Sequence, residues 1–364
     1  MKILFYFGHP AQYLFARETI KQLIKKEHQV KIIIKTKDVL ENLLKYDGLE
    51  YENIMPNVRG NSKLSIALSL IKRNLILLPK VLKFKPNLMI GTDATIAQLG
   101  RLLNIHRVTI LEDDYEVIKT LADITYPFTE TIFCPNVCRV GKWDEKKVGY
   151  EGYMKLGYLH PSIFISNKNI VEKYITSPNY VIIRLAKLTA HHDFNASGIT
   201  NILLDKLIHS LEENSFTVLL STEDTIDDKY NKHLLNIEPS DMHHILDHAS
   251  LLICDSQSMS VEASILGIPS LRVSSFAGKI SVLDELEHKY KLTFGINPND
   301  EEKLFNKLDE LYSIKEIKDE FKSRRDIMLK DKINVSNFFT WFIENYPKSI
   351  LILKENSQYQ EKFK

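Results

Sequence analysis

The residues best suited to chemistry gather around Ser256-Gln257-Ser258-Met259, with Glu262 four positions beyond Ser258 and Gly267-Ile268-Pro269 closing the segment. An apolar run, Leu251–Cys254, leads into this stretch, and a second, Ser270–Val273, leaves it. The pattern reads as strand, small polar turn, helix, stop, strand. A helix opened by small hydroxyl residues leaves its first backbone N–H groups without intrahelical partners. Those groups and the helix dipole attract an anion. Glu262 sits one turn into the helix, where a carboxylate can take a sugar hydroxyl, so a diphosphate beside a ribose suits the set. An ordinary strand–helix–strand unit suits the same residues, because Ser is a good helix cap in any setting.

A second group follows apolar runs nearer the start. Gly8-His9-Pro10 comes after Ile3–Phe7. Gly allows close approach, Pro begins a helix, and His9 is placed either as a general base or as a cap. Gly91-Thr92-Asp93 and Glu112-Asp113-Asp114 follow two later runs, Asn87–Ile90 and Val108–Leu111. Clustered carboxylates can share a proton. Helix capping accounts for Asp93, whereas at least one of Glu112 and Asp113 is expected to be functional.

In the second half, Ala190-His191-His192-Asp193 follows the strand pattern Tyr180–Ile183. Neighbouring residues in an extended loop point opposite ways, so His191 and His192 are not expected to chelate one metal together. Arg184 is placed to meet a phosphate or a surface carboxylate. Ser221-Thr222-Glu223 ends another strand, and His243-His244 opens the helix before Ile253. Solvated loop and helix-start roles fit these residues equally well.

A chain of 364 residues suits two domains. A formal net charge of +1 argues against wholesale nucleic-acid binding. Three cysteines, Cys134, Cys138 and Cys254, suggest reduced thiols and a cytoplasmic setting. They form no zinc pattern, and no metal or cofactor is expected. No apolar run is long enough to span a bilayer. Strand and helix patterns alternate throughout, which predicts parallel α/β sheets. The strand series Ile3–Phe7, Val30–Ile34, Asn87–Ile90 and Val108–Leu111 restarts at Tyr180 after a Tyr-, Pro-, Ser- and Asn-rich segment, 150–178. The expected division is 1–165, 178–330 and a C-terminal part, 331–364, whose end is expected to be partly disordered. Residues 53–92 hold no Asp or Glu. Within them, 63–85 reads as a basic amphipathic helix, either buried with a basic edge or lying on the inner face of an anionic membrane.

The pattern Ser-x-Ser-x-x-x-Glu-Ala-x-x-Leu-Gly-x-Pro, here 256–269, resembles the nucleotide-sugar loop of GT-B enzymes. The chain is similar to predicted bacterial and archaeal glycosyltransferases that share pieces such as Gly8-His9-Pro10, Leu159-His160-Pro161, Ala190-His191-His192-Asp193 and Ser256-Gln257-Ser258-Met259. It also resembles the non-hydrolysing UDP-GlcNAc 2-epimerases and the peptidoglycan GlcNAc transferase, which has a comparable Gly-His before a helix. The resemblance implies a GT-B fold, two Rossmann-like domains facing across a cleft. It implies a UDP-sugar donor held by Arg184, Ser221, Glu223, His243, His244, Ser256, Gln257, Ser258, Met259 and Glu262. The expected activity is metal-independent glycosyl transfer to an unidentified glycan or lipid-linked acceptor, with His9 as base and Glu112 or Asp113 in reserve. Epimerisation by Asp93, Glu112 and His191 or His192 is the second reading, and a non-catalytic nucleotide-sugar-binding protein is the third. Departures from the epimerases weaken the second. Their Ser-Gly-Gly turn is Ser256-Gln257-Ser258, and their paired glutamates are Val261-Glu262.

Overall fold

A computed structural model describes residues 1–36, 39–55, 63–186, 198–222 and 225–364. The chain divides into two compact units: Met1–His160 with Lys332–Lys364, and Pro161–Asp331.

The first unit is built on a seven-stranded sheet of β1 (Lys2–Phe7), β2 (Gln29–Lys35), β3 (Glu52–Met55), β4 (Leu88–Gly91), β5 (His106–Ile110), β6 (Thr131–Pro135) and β7 (Lys147–Tyr150). The order is β3-β2-β1-β4-β5-β6-β7 and every pairing is parallel. A parallel sheet covered on both faces needs strands that are apolar throughout rather than alternating. Ile3, Leu4, Phe5, Tyr6 and Phe7 are accordingly all buried. The strand order reverses between β1 and β4. The loops leaving their carboxyl ends, at Gly8 and Thr92, therefore flank the natural ligand crevice of this sheet.

The C-terminal segment completes this same unit. The Val335–Glu344 helix is apolar on most of its circumference and packs on the Pro10–Lys25 helix. The Phe133 ring lies 4.7 Å from Phe339, 4.9 Å from Phe342 and 4.8 Å from Tyr150. Phe338, Phe339 and Phe342 are fully buried, each stabilising the unit by roughly 2 kcal/mol. The tail beyond it is helical rather than disordered. Lys348–Glu355 forms a helix, and Tyr359 stacks 4.6 Å from Trp341. That aromatic contact supplies the apolar burial that a polar tail otherwise lacks.

The second unit carries β8 (Tyr180–Leu185), β9 (Thr217–Thr222), β10 (Leu251–Cys254), β11 (Ser270–Val273) and β12 (Thr293–Ile296), in the parallel order β12-β11-β10-β8-β9. Here the order reverses between β8 and β10. The Gln257–Leu266 helix ends at Gly267, whose φ of 74° is left-handed. A side chain there would also meet the Lys322 backbone at 3.1 Å, so glycine is required on two counts. A buried hydroxyl cluster draws this helix onto the sheet: Ser260 lies 2.8 Å from Thr293, which lies 2.8 Å from Ser270. Among the described residues no helix is long and apolar enough to cross a membrane.

Candidate functional site

Each unit presents its own set of polar groups at the carboxyl edge of its sheet. In the first unit His9 is the N-cap of the Pro10–Lys25 helix, its Nδ1 accepting the Ala11 N–H at 3.2 Å. This bond is the capping role that the sequence offers for His9 beside that of general base. A ring nitrogen that accepts leaves the neutral imidazole hydrogen on the other nitrogen. In that tautomer Nε2 carries the hydrogen. A Cβ at Gly8 would meet Lys35 Cε at 2.5 Å, so a larger residue there would push the Lys35 side chain aside. The Lys35 stem crosses Gly8 to bring Nζ within 3.7 Å of Asp93.

Asp93 caps the Ala94–Leu102 helix, accepting from Thr95 N at 3.0 Å and Thr95 Oγ1 at 2.9 Å. Arg73 Nη2 is 3.4 Å away. Burial alone would raise the Asp93 carboxyl. Lys35, Arg73 and the Thr95 donors outweigh it and hold the group below the usual aspartate value. A carboxylate so held stays ionised near neutral pH, which favours the capping reading. Glu112 is also committed. It accepts Met154 N at 2.6 Å, and its other oxygen pairs with Lys155 Nζ. Both side chains of that pair are buried. Asp114 is fully buried and accepts Arg139 N at 2.7 Å. Asp113 is half-buried, and it is the member of the triplet that stays closest to solvent.

The second unit assembles a denser set. Ser256 caps the Gln257–Leu266 helix, its Oγ accepting Met259 N at 3.3 Å, and Ser260 N bonds Ser256 O. The Met259 amide is thereby used. Among the described residues no partner meets the amides of Gln257 and Ser258, as expected of the first positions of a helix. The Gln257 side chain is fixed at both ends. Its amide nitrogen donates to Ser274 Oγ at 2.8 Å, and its oxygen accepts Arg272 Nη1 at 2.6 Å. Arg272 is fully buried, and among the described residues its Nε and Nη2 meet no hydrogen-bond partner. A permanent cation thus stands beneath the helix start and reinforces the positive end of its dipole. Glu262 faces His243, Oε1 to Nε2 at 3.5 Å. His244 turns away: it accepts Asn167 N at 3.1 Å and lies 4.9 Å from the Phe164 ring. Burial lowers its pKa, so it stays neutral. Arg184, paired in register with Ser221 and Cys254, donates to Ser221 Oγ at 2.8 Å. His191, His192 and Glu223 lie outside the described residues.

Asp255 was not among the residues singled out from sequence. It bridges the point where the strand order reverses, accepting Ala186 N at 2.6 Å while its own N–H reaches Arg184 O. Its second oxygen lies against Gly198, where a Cβ would approach to 2.6 Å. One carboxylate therefore holds both ends of the chain between Ala186 and Gly198. Burial raises its pKa to about 6, against partial lowering by the Ala186 and Ile199 amides. A raised carboxyl favours the protonated fold, so its contribution to stability is complete below about pH 4 and is lost as pH rises through 6. Asp255→Asn is expected to remove that slope. Thermal melts of both proteins between pH 4.5 and 7.5 should converge on the acid side; parallel curves would show that Asp255 does not titrate there.

The thiols take no part. Cys134, Cys138 and Cys254 are buried, and burial pushes Cys134 and Cys254 up to about 12.

No family model and no curated protein sequence matches the chain. Solved structures do match it. The UDP-GlcNAc 2-epimerase of Methanocaldococcus jannaschii, in complex with UDP-GlcNAc and UDP, superposes with a TM-score of 0.64 at 17% identity, over 86% of this chain and 94% of that one. The Neisseria meningitidis enzyme bound to UDP-GlcNAc gives 0.60 at 16% identity, over 91% and 99%. A spinosyn rhamnosyltransferase complexed with spinosyn aglycone gives 0.60 at 14% identity, over 94% and 100%. With two parallel-sheet α/β units in one chain, the protein has the GT-B fold that these epimerases and glycosyltransferases share.

Proposed function

We propose that the protein is a glycosyltransferase that takes a nucleotide sugar, most simply a UDP-sugar, as donor. The observation that carries this reading is the start of the Gln257–Leu266 helix. Two unpartnered amides, a buried guanidinium beneath them and a carboxylate one turn on match a diphosphate next to a ribose. The leaving diphosphate is stabilised by the Gln257 and Ser258 amides, with Arg184 at the same sheet edge, and needs no metal. Glu262 takes the ribose hydroxyls. Its nearness to His243 keeps its carboxylate oriented. On the first unit, Asp113 accepts the proton of the acceptor hydroxyl, and His9 donates a hydrogen bond through Nε2. Solved structures of the same fold bound to UDP-GlcNAc support the donor class.

Transfer is favoured over epimerisation because two of the carboxylates that epimerisation would use are engaged internally, Asp93 by Lys35, Arg73 and Thr95, and Glu112 by Lys155. Glu262→Ala is expected to weaken UDP binding by about 10- to 100-fold, the loss of charged hydrogen bonds worth about 1–3 kcal/mol. Calorimetry that finds the affinity unchanged would remove Glu262 from the site. Incubation with a panel of nucleotide sugars then separates the reactions: free nucleotide marks transfer or hydrolysis, and a new sugar nucleotide marks epimerisation.

A further inference from the structure

Among the described residues nothing covers one face of the Lys63–Phe84 helix of the first unit. Leu68, Ile71, Leu75 and Leu82 are 58%, 57%, 67% and 53% exposed, values unusual for four leucines and isoleucines on one helix. They are not scattered. At about 100° per residue, Ile71, Leu82, Leu75, Leu68 and the exposed Pro79 fall within an arc of about 80°. The stripe runs from Leu68 to Leu82, about 21 Å at 1.5 Å per residue. Lys72 and Lys83, both exposed, line one flank of it. Neither has an ion-pair partner among the described residues, whereas Lys80 and Arg73, on the side turned to the protein, pair with Glu52 and Asp93. The opposite face is anchored: Leu77 and Val81 pack with Leu4, Ile33, Met89 and Ile96 in the core. The helix is therefore held in place and cannot turn its apolar stripe inward.

We infer that this face docks on an anionic lipid surface. An apolar stripe bordered by lysines, on a helix fixed to a folded unit, is the form of an element that lies in the membrane interface with its apolar side in the acyl boundary. Charge selects the occupant. Residues 53–92 contain no Asp or Glu, so a second copy meeting this face about a two-fold axis would set lysines against lysines with no carboxylate from the same segment between them. A surface rich in phosphate headgroups answers both the apolar stripe and the uncompensated charge. Its insertion depth is that of side chains alone, consistent with a helix that does not span the bilayer.

The test uses the full chain without nucleotide, so that it stands or falls apart from the donor assignment. Flotation with vesicles of phosphatidylcholine alone is compared with vesicles holding about one-third phosphatidylglycerol, whose negative surface attracts basic residues. The protein is expected to float only with the anionic vesicles, and binding should fall about tenfold between low salt and roughly 0.5 M salt, where the Debye length contracts. Leu75→Glu and the pair Lys72→Glu/Lys83→Glu should each lower binding about tenfold. All three sites are exposed, so the variants should melt with the wild type, which a thermal scan verifies. No flotation at low salt, or equal flotation of Leu75→Glu, overturns the proposal. A wild-type dimer that Leu75→Glu dissociates, without vesicle binding, overturns it in favour of an interface between copies.

Discussion

Glu112→Ala is expected to lower the stability of the first unit by about 3–5 kcal/mol, because it strands the Lys155 ammonium in a buried place. Lys155 and Glu112 are each less than one-tenth exposed, and the Met154 amide would lose its acceptor as well. A second substitution makes the result interpretable. Glu112→Ala with Lys155→Met removes both charges and should recover much of the loss, since a buried pair replaced by apolar groups is often neutral. Denaturant unfolding of the three proteins reads this directly. If Glu112→Ala instead keeps full stability and loses turnover, Glu112 returns to the catalytic set and epimerisation regains its acid.

Asp113→Asn is expected to slow turnover about 100-fold, the usual share of a general base, with little change in donor affinity, because the donor residues belong to the other unit. His9 is expected to behave differently. His9→Asn keeps a good cap and loses only the Nε2 donor, so turnover should fall about tenfold with the melting point retained. His9→Ala loses the cap too and should cost about 1 kcal/mol of stability. Steady-state rates with melts on each variant separate these outcomes. An Asp113→Asn protein that turns over normally would leave the first unit without its assigned base.

The regular parts of the architecture were legible because their residues behave alike everywhere. The strands Leu251–Cys254 and Ser270–Val273 lie where apolar runs, Ser256 and Gly267 place them. The strands that escaped notice are β3, β6, β7 and β12, which are no shorter than β10 and β11; Glu52-Asn53, Thr131 and Lys147 open the first three, and Gly295 stands inside the fourth. Their pairing in the sheet, not their own propensity, makes them strands. The Ser256 cap and the Glu262 carboxylate one turn on could be read because they are local. Lys155 opposite Glu112, Lys35 across Gly8, Arg272 under Gln257 and Asp255 against Gly198 could not. Each joins residues far apart in sequence, and a buried charge is spelled with the same letter as a solvated one. For His9 the sequence left cap and base side by side, and the structure adds the Ala11 amide on Nδ1.

The return of the last segment to the first unit has a consequence for how the protein is made. Phe15, Phe133 and Tyr150 precede the second unit in the chain, yet the rings that close over them, Phe338, Phe339 and Phe342, are translated only after it. The second unit, continuous from Pro161 to Asp331, has all its residues available first. Order of synthesis and order of completion therefore differ: residues 1–160 are made before the second unit, yet their own unit gains its last residues, 332–364, after it. A ribosome stalled before residue 335 would hold a finished second unit joined to an unfinished first one.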